Sequence, residues 1–273
     1  MTTQQTAQRS IIKKYRKPIW NRFIGALKEY KMLEAGDRVA VCISGGKDSM
    51  LLAMCMQELE NHGSEVPFHT EFLVMDPGYA PENRKKIEEN AATLGIPIHI
   101  FDAPVFNVVD KQTAGAPCYL CARMRRGYLY KYAKDLGCNK IALGHHFDDV
   151  IETTLMSMLY GAEMRTMMPK LHSTHFEGMQ LIRPLYFVRE TDILAWQRYN
   201  GLSFIRCACR MTAGLAEDTM QSKRQEVKRL IAALRRENPQ VDSNIFRSAD
   251  NVNLETIRSW HKGDATYDFL DEY

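Results

Sequence analysis

A parallel α/β sheet with helices on both faces is the fold this sequence predicts, and two observations predict it. Short apolar runs alternate with helical stretches from Arg38 to Tyr160, and the first run ends in a glycine turn that opens a helix. Arg38 to Ile43 is apolar and β-branched enough for a strand buried on both faces, and Ser44-Gly45-Gly46 punctuates its end. A helix is expected from about Lys47 to Glu60. Glu71 to Met75, Pro97 to Phe101 and Lys140 to Gly144 repeat the strand pattern, while Pro81 to Leu94, Cys121 to Leu136 and Asp148 to Tyr160 repeat the helical one. In such sheets ligands sit beyond the carboxyl ends of the strands. Ahead of the sheet, Ile11 to Tyr30 reads as a basic amphipathic helix, broken or started at Pro18. Behind it, Thr191 to Asn200 and Ala216 to Glu237 read as helices, and the acidic, aromatic Thr266 to Tyr273 as a loosely held tail. The expected organisation is a basic helical extension over 1–35, the α/β domain over 36–205, and a C-terminal helical segment with its tail over 206–273.

The 273 residues suffice for one good core with trimmings. Hydrophobic content of 45% and charged content of 25% are those of ordinary soluble globular chains. No apolar run approaches a bilayer span, and Met1-Thr2-Thr3-Gln4-Gln5 lacks the apolar stretch of a secretory signal. A cytoplasmic location with no membrane partner is the expectation. A net charge of +3 is silent about nucleic acid, but Arg9, Lys13, Lys14, Arg16, Lys17, Arg22 and Lys28 follow one another with no acidic residue between. That cluster suits a phosphate backbone as well as it suits a solvated helix face. Seven cysteines without a secretory signal point to metal or redox use. Cys42, Cys55 and Cys138 stand singly among apolar neighbours and read as small buried hydrophobes. Cys118, Cys121, Cys207 and Cys209 are paired.

Ser44-Gly45-Gly46-Lys47-Asp48-Ser49 joins strand to helix, so two glycines admit a ligand to the backbone while helix amides point at it. The Walker loop needs four residues between its first Gly and the Gly-Lys pair. This spacing matches instead enzymes that split ATP between the α and β phosphates. Ser44, Gly45, Gly46 and Ser49 are then donors to the pyrophosphate, Lys47 offsets charge on the leaving group, and Asp48 orients the loop or holds Mg²⁺. Asp76 is placed for the ribose or adenine, or equally for the turn at Pro77-Gly78. Gly144-His145-His146-Phe147-Asp148-Asp149 ends the fourth strand beside the same crevice, which makes Gly144 a nucleotide contact. One of Asp148 and Asp149 is assigned to catalysis or metal binding, although a cap on the following helix explains such a residue well. His145 and His146 suit stabilisation of an adenylate or a structural place at a strand end.

Pro117-Cys118-Tyr119-Leu120-Cys121 enters a helix bearing Arg123, Arg125 and Arg126, which favours thiolates. A redox pair leaves Cys207 and Cys209 unexplained. A four-thiolate zinc site and an iron-sulfur cluster on Cys118, Cys121 and one of the later pair both stay open, with spacing slightly in favour of zinc.

Taken together, the phosphate loop, Cys118 to Cys121 with Ala122-Arg123-Met124-Arg125-Arg126-Gly127, the stretch Ile141 to Asp149 and Arg183-Pro184-Leu185 resemble the tRNA 2-thiocytidine synthetases of the TtcA type, from roughly Arg9 to Pro239. The resemblance makes 36–205 a PP-loop ATP-pyrophosphatase domain. It implies ATP, Mg²⁺ and a [4Fe-4S] cluster on three cysteines with one iron open to sulfur, held by Cys118, Cys121 and Cys209, or Cys207 in its place. It further implies that an anticodon-loop cytidine of tRNA is adenylated at O2 and that sulfur then displaces AMP. A sulfur donor such as a cysteine desulfurase and association into a homodimer are the partners it brings, and Arg123, Arg125, Arg126 and the first helix are candidates to hold the RNA backbone. Two departures stand out: Cys207-Ala208-Cys209 has one intervening residue where the family has two, and Glu163 intrudes in a loop that is more basic in the family. A lysidine-synthetase-like ligase would share the phosphate loop, but the cysteine quartet argues against it. A zinc-stabilised RNA-binding or sulfur-carrier protein without catalysis is the rival of another class.

Overall fold

Every β-branched run read as a strand enters one sheet in the computed structural model, which describes residues 2–103, 105, 117–205 and 223–272, side chains 117–122 and 272 apart. The described chain forms two compact units, 1–150 with 167–221, and 151–166 with 222–273. In the first, β1 (Asp37–Ile43), β2 (Phe68–Asp76), β3 (Ile98–Asp102), β4 (Lys140–Ala142), β5 (Lys170–His172) and β6 (Gln180–Ile182) pair in the order β3-β2-β1-β4-β6-β5. All neighbours are parallel except β5 and β6. Connections run outward from β1 on one side and from β4 on the other, so a crevice opens between the carboxyl ends of these two strands.

Helix α1 (Thr3–Ile12), α2 (Asn21–Glu29), α3 (Lys47–His62), α4 (Pro81–Leu94), α5 (Pro117–Asp135), α6 (Phe147–Gly161) and α7 (Glu190–Tyr199) follow in chain order. The run from Met50 to Met56 in α3 is wholly buried. A helix apolar all round needs cover on every side, and α3 has it from β1, β2, α1 and α7. On the other face of the sheet, Ala40, Cys42, Leu73, Ile141 and Leu181 pack with Tyr130 and Ala133 of α5. At the amino end of the sheet Lys140, buried to 1% exposure, gives its ammonium to the Met32 carbonyl at 3.1 Å and to Asp37 Oδ2 at 2.6 Å. Asp37 in turn accepts from the Glu34 amide and from Asn139 Nδ2.

The second unit contains most of α6, α8 (Lys223–Glu237), α9 (Val241–Ser248) and the hairpin β7 (Ser259–Lys262) to β8 (Ala265–Asp268). The hairpin corrects the expectation of a loose tail from Thr266. Gly263 at φ +63° makes the turn, and Trp260 stacks on Tyr267 with ring centres 5.3 Å apart. The N-terminal stretch is three pieces rather than one: α1, begun by a Thr2/Gln5 capping box, a π-helical turn at Arg16–Trp20 containing Pro18, and α2. Residues 206–222, the start of the helix expected from Ala216, lie outside the described residues.

Candidate active site at the β1/β4 switch point

Gly45 carries the chain out of β1 at φ +83°, and a Cβ there would stand 2.6 Å from Ile87 Cγ1 and 2.7 Å from Ile205 Cδ1. Conformation and space both require glycine. Gly46 is the N-cap of α3 and offers no side-chain bond to its first turn, which leaves those amides for an anion. The Ser49 hydroxyl donates to the Gly46 carbonyl at 3.0 Å and accepts from the Ser44 amide at 3.1 Å. With that single proton committed, the 3.2 Å contact between the two hydroxyls makes Ser44 the donor. Gly144 forms the opposite wall: a Cβ would approach the Asp48 carbonyl carbon and the Ser49 nitrogen to 3.0 Å, so only glycine lets the end of β4 close on the loop.

A cavity of about 560 Å³ lies between these walls, lined among others by Ser44, Asp48, Ser49, Gly144, His145 and Asp149, with Arg125, Arg126 and Arg183 facing the same space. Its volume suits a nucleotide-sized ligand. Arg183 is buried, and that burial lowers its pKa to about 10, still cationic at neutral pH.

Asp48 keeps one carboxylate oxygen without a hydrogen-bond partner. Burial raises its pKa, against the opposing pull of His146 and Lys47. Its Oδ1 is buried with no hydrogen-bond partner. That single carboxylate oxygen, beside a phosphate cradle, is of the hard type that a divalent cation takes. Lys47 bonds Asp48 Oδ2 at 3.1 Å and Glu190 Oε1 at 3.0 Å. Burial alone would lower its pKa, but these two carboxylates outweigh it and raise it. His146, 3% exposed, lies between the acids, with Nε2 3.7 Å from Asp48 Oδ1 and Nδ1 3.4 Å from Asp149 Oδ2.

The adjacent acids separate in role. Asp148 accepts from Arg189 Nη2 at 3.1 Å and Nε at 3.3 Å, and from the Glu190 amide at 2.7 Å, which ties α6 to the start of α7. Asp149 receives the His146 amide at 3.0 Å and lines the cavity. Asp76, at the end of β2, accepts from the Gly78 and Tyr79 amides and from Arg84 Nη1, the bonds of a turn-forming aspartate. Sequence reasoning did not single out Arg189 or Glu190, and quoted Arg183 without a role; the one local signal was an arginine before a strand-ending proline. Cys118 and Cys121 occupy the first turns of α5, seven and four residues before Arg125. Cys207 and Cys209 lie outside the described residues, and no cluster of metal-ligating side chains occurs among the described ones. Cys42, Cys55 and Cys138 are buried free thiols; burial pushes Cys42 up to about 12 and Cys138 to about 11. No helix among the described residues is long and apolar enough to cross a membrane.

A glycine loop without Walker spacing, set at the switch point of a largely parallel sheet, defines a PP-loop nucleotide-binding protein, and the model of the PP-loop domain family matches residues 16–209. The tRNA-cytidine(32) 2-sulfurtransferase of Coxiella burnetii (strain RSA 493 / Nine Mile phase I) is 38% identical over 83% of this chain and 86% of its own. The tRNA-cytidine(32) 2-sulfurtransferase 1 of Francisella philomiragia is 37% identical over 88% and 92%. The chain belongs to the tRNA-cytidine(32) 2-sulfurtransferase family of PP-loop proteins. Among solved structures, the U34-tRNA thiolase NcsA from Methanococcus maripaludis with its [4Fe-4S] cluster superposes with a TM-score of 0.66 at 20% identity, over 84% of this chain and 76% of that one, and shares the fold.

Proposed function

We infer that this protein is an ATP-dependent tRNA sulfurtransferase that adenylates an anticodon-loop cytidine at O2 and replaces that oxygen with sulfur. The carrying observation is that the glycine loop, Asp149, His145 and three arginines face one cavity while Cys118 and Cys121 begin the helix that supplies Arg125 and Arg126. An exocyclic oxygen leaves poorly until it is adenylated, so phosphate, base and sulfur must converge on one point. Ser44, Gly45, Gly46 and Ser49 with the first amides of α3 receive the pyrophosphate, and Lys47 balances its charge as it leaves. Asp48, whose Oδ1 has no hydrogen-bond partner, would hold Mg²⁺ beside those phosphates. Asp149 is the acid that meets the ligand, and Asp148 fixes the turn that carries it. Gly144 contacts the nucleotide by letting it lie close to β4. Asp76 shapes the turn that borders the adenine side. Arg125 and Arg126 hold the RNA backbone near an unstacked base.

Cys118, Cys121 and Cys209, with Cys207 as the alternative third ligand, would hold a [4Fe-4S] cluster, which would supply a sulfur-binding iron. A thiolate pair on a helix N-terminus followed by three arginines is chemically suited to it. Sulfur reaches it from a donor such as a cysteine desulfurase. Association of two copies is proposed on the exposed Met158, Leu159, Leu230 and Leu234 of the second unit. Mass spectrometry of tRNA from a deletion strain, with and without the gene restored, tests the reaction: 2-thiocytidine is lost and regained. Unchanged 2-thiocytidine in the deletion strain sinks the function. Anaerobically purified protein is expected to be brown, with iron and acid-labile sulfide that a Cys118→Ala, Cys121→Ala double variant loses; colourless protein with stoichiometric zinc sinks the cluster.

A further inference from the structure

Pairing of β4 with β6, carried on by the Leu143 amide to the Ile182 carbonyl at 3.0 Å, sets residues 145 and 183 side by side at the cavity. Arg183 Nε lies 3.3 Å from His145 Nδ1, while Nη1 of the same guanidinium donates to the Met168 carbonyl. Arginine has five donors and no acceptor, so the imidazole nitrogen that meets it must offer a lone pair. The ring's one proton then sits on Nε2. An imidazolium would set N–H against N–H and two cations together where Arg183 is only 8% exposed.

We propose that Arg183 is a positioning residue that holds His145 as the neutral Nε2-protonated tautomer, so that this histidine serves the thiolation site as a hydrogen-bond donor and not as a base or nucleophile. The proposal rests on the function inferred above and adds to it what that chemistry needs from the ring. Once O2 of the base carries AMP, C2 is electrophilic. An imidazole nitrogen with an exposed lone pair would compete with sulfur there, forming an N–C2 bond and expelling AMP. With Nδ1 turned to Arg183 and a proton on Nε2, that side reaction has no electron pair to start from, and Nε2–H suits an acceptor oxygen on the ligand. Among the described residues, the charged groups that line the same cavity as His145 are Arg183 from the turn after β6, Arg125 and Arg126 from α5, Asp149 from α6 and Asp48 from α3.

Long-range proton–nitrogen NMR of the full-length, ligand-free protein, with His145 assigned by loss of its signals in His145→Gln, reads the tautomer directly. The expected result is an acceptor-type Nδ1 and a protonated Nε2, unchanged as pH falls through about 6.5, the ordinary histidine range. In Arg183→Leu the ring begins to titrate near that value and the kcat profile gains an acidic limb, both reduced in Arg183→Lys. Should Arg183→Leu fail to fold, the wild-type spectrum and a pair of His145 variants still decide. His145→Gln, which keeps a side-chain N–H donor, is expected to retain most of kcat, while His145→Ala loses roughly tenfold to a hundredfold. An Nδ1-protonated ring, or one titrating near 6.5 in the wild type, overturns the proposal. The spectrum is recorded without substrate, so absence of thiolation would sink the function and leave the tautomer standing, and the reverse result would do the opposite.

Discussion

Gly45 concentrates two demands on one α-carbon, a left-handed backbone and contact with Ile87 and Ile205 on either side. Gly45→Ala is therefore expected to cost about 1–3 kcal/mol in urea unfolding and to abolish the rise in melting temperature that ATP produces in the parent. Asp48 makes the opposite prediction. Its pKa is raised chiefly by burial, so the ionised form is disfavoured in the folded state: the penalty is absent below the ordinary aspartate value near 3.8, builds as pH rises from there to the raised value, and is fully present above it. Asp48→Asn should then raise the melting temperature of the ligand-free protein at neutral pH, leave it unchanged at the acid end of that window, and remove activity. A fall in stability at neutral pH would mean that the carboxylate is supported by contacts other than those described.

Asp148 and Asp149 follow each other in the chain, yet they belong to different elements in effect. The first is clamped by Arg189 and the Glu190 amide at the start of α7, the second caps its own helix from the cavity side. Asp148→Asn should cost about 2 kcal/mol in unfolding, because a neutral amide loses the charge assistance in the bonds from Arg189 and the Glu190 amide. Asp149→Asn should change stability by under about 1 kcal/mol and lower kcat instead, a split that paired denaturation and turnover measurements read. Neither clamp residue was visible beforehand, because Arg189 and Glu190 meet Asp148 and Lys47 across long stretches of chain and long-range pairing leaves no local pattern. Local chemistry was legible where it was strong. α4 runs from Pro81 to Leu94 as read, between a proline at its first turn and Gly95 in the left-handed region, and the β1–loop–α3 unit announced itself by an apolar run ending in two glycines. Strands β5 and β6 went unread, since three residues are too few for periodicity to show. The β7–β8 hairpin did carry a signal, Gly263-Asp264 between aromatic runs, which the acidity of the tail masked.

Helix α3 separates two basic regions within the first unit. Its amino end meets the cavity with Arg125, Arg126 and Arg183. Its last turn, 16 residues on and so about 24 Å away, borders a groove of about 550 Å³ where Lys13, Arg16, Lys28 and Lys31 gather around Glu58 to Gly63. An RNA held by both must reach along the whole helix, which transfer RNA is long enough to do. Charge reversal at Lys13 and Arg16 is expected to weaken tRNA binding and to lower the slope of log affinity against log salt by roughly one to two, with ATP affinity unchanged. An unaltered slope would remove this groove from the RNA path. The buried Lys140 ammonium reaches a different conclusion about the same N-terminal stretch. Because the Met32 carbonyl and the Glu34–Asp37 turn help to satisfy an ion inside the sheet, the stretch is no detachable arm. A shortened chain beginning at Gly36 would strand that cation without its carbonyl, so proteolytic trimming or exchange of the leading helices between relatives should melt the ATP-binding core along with them.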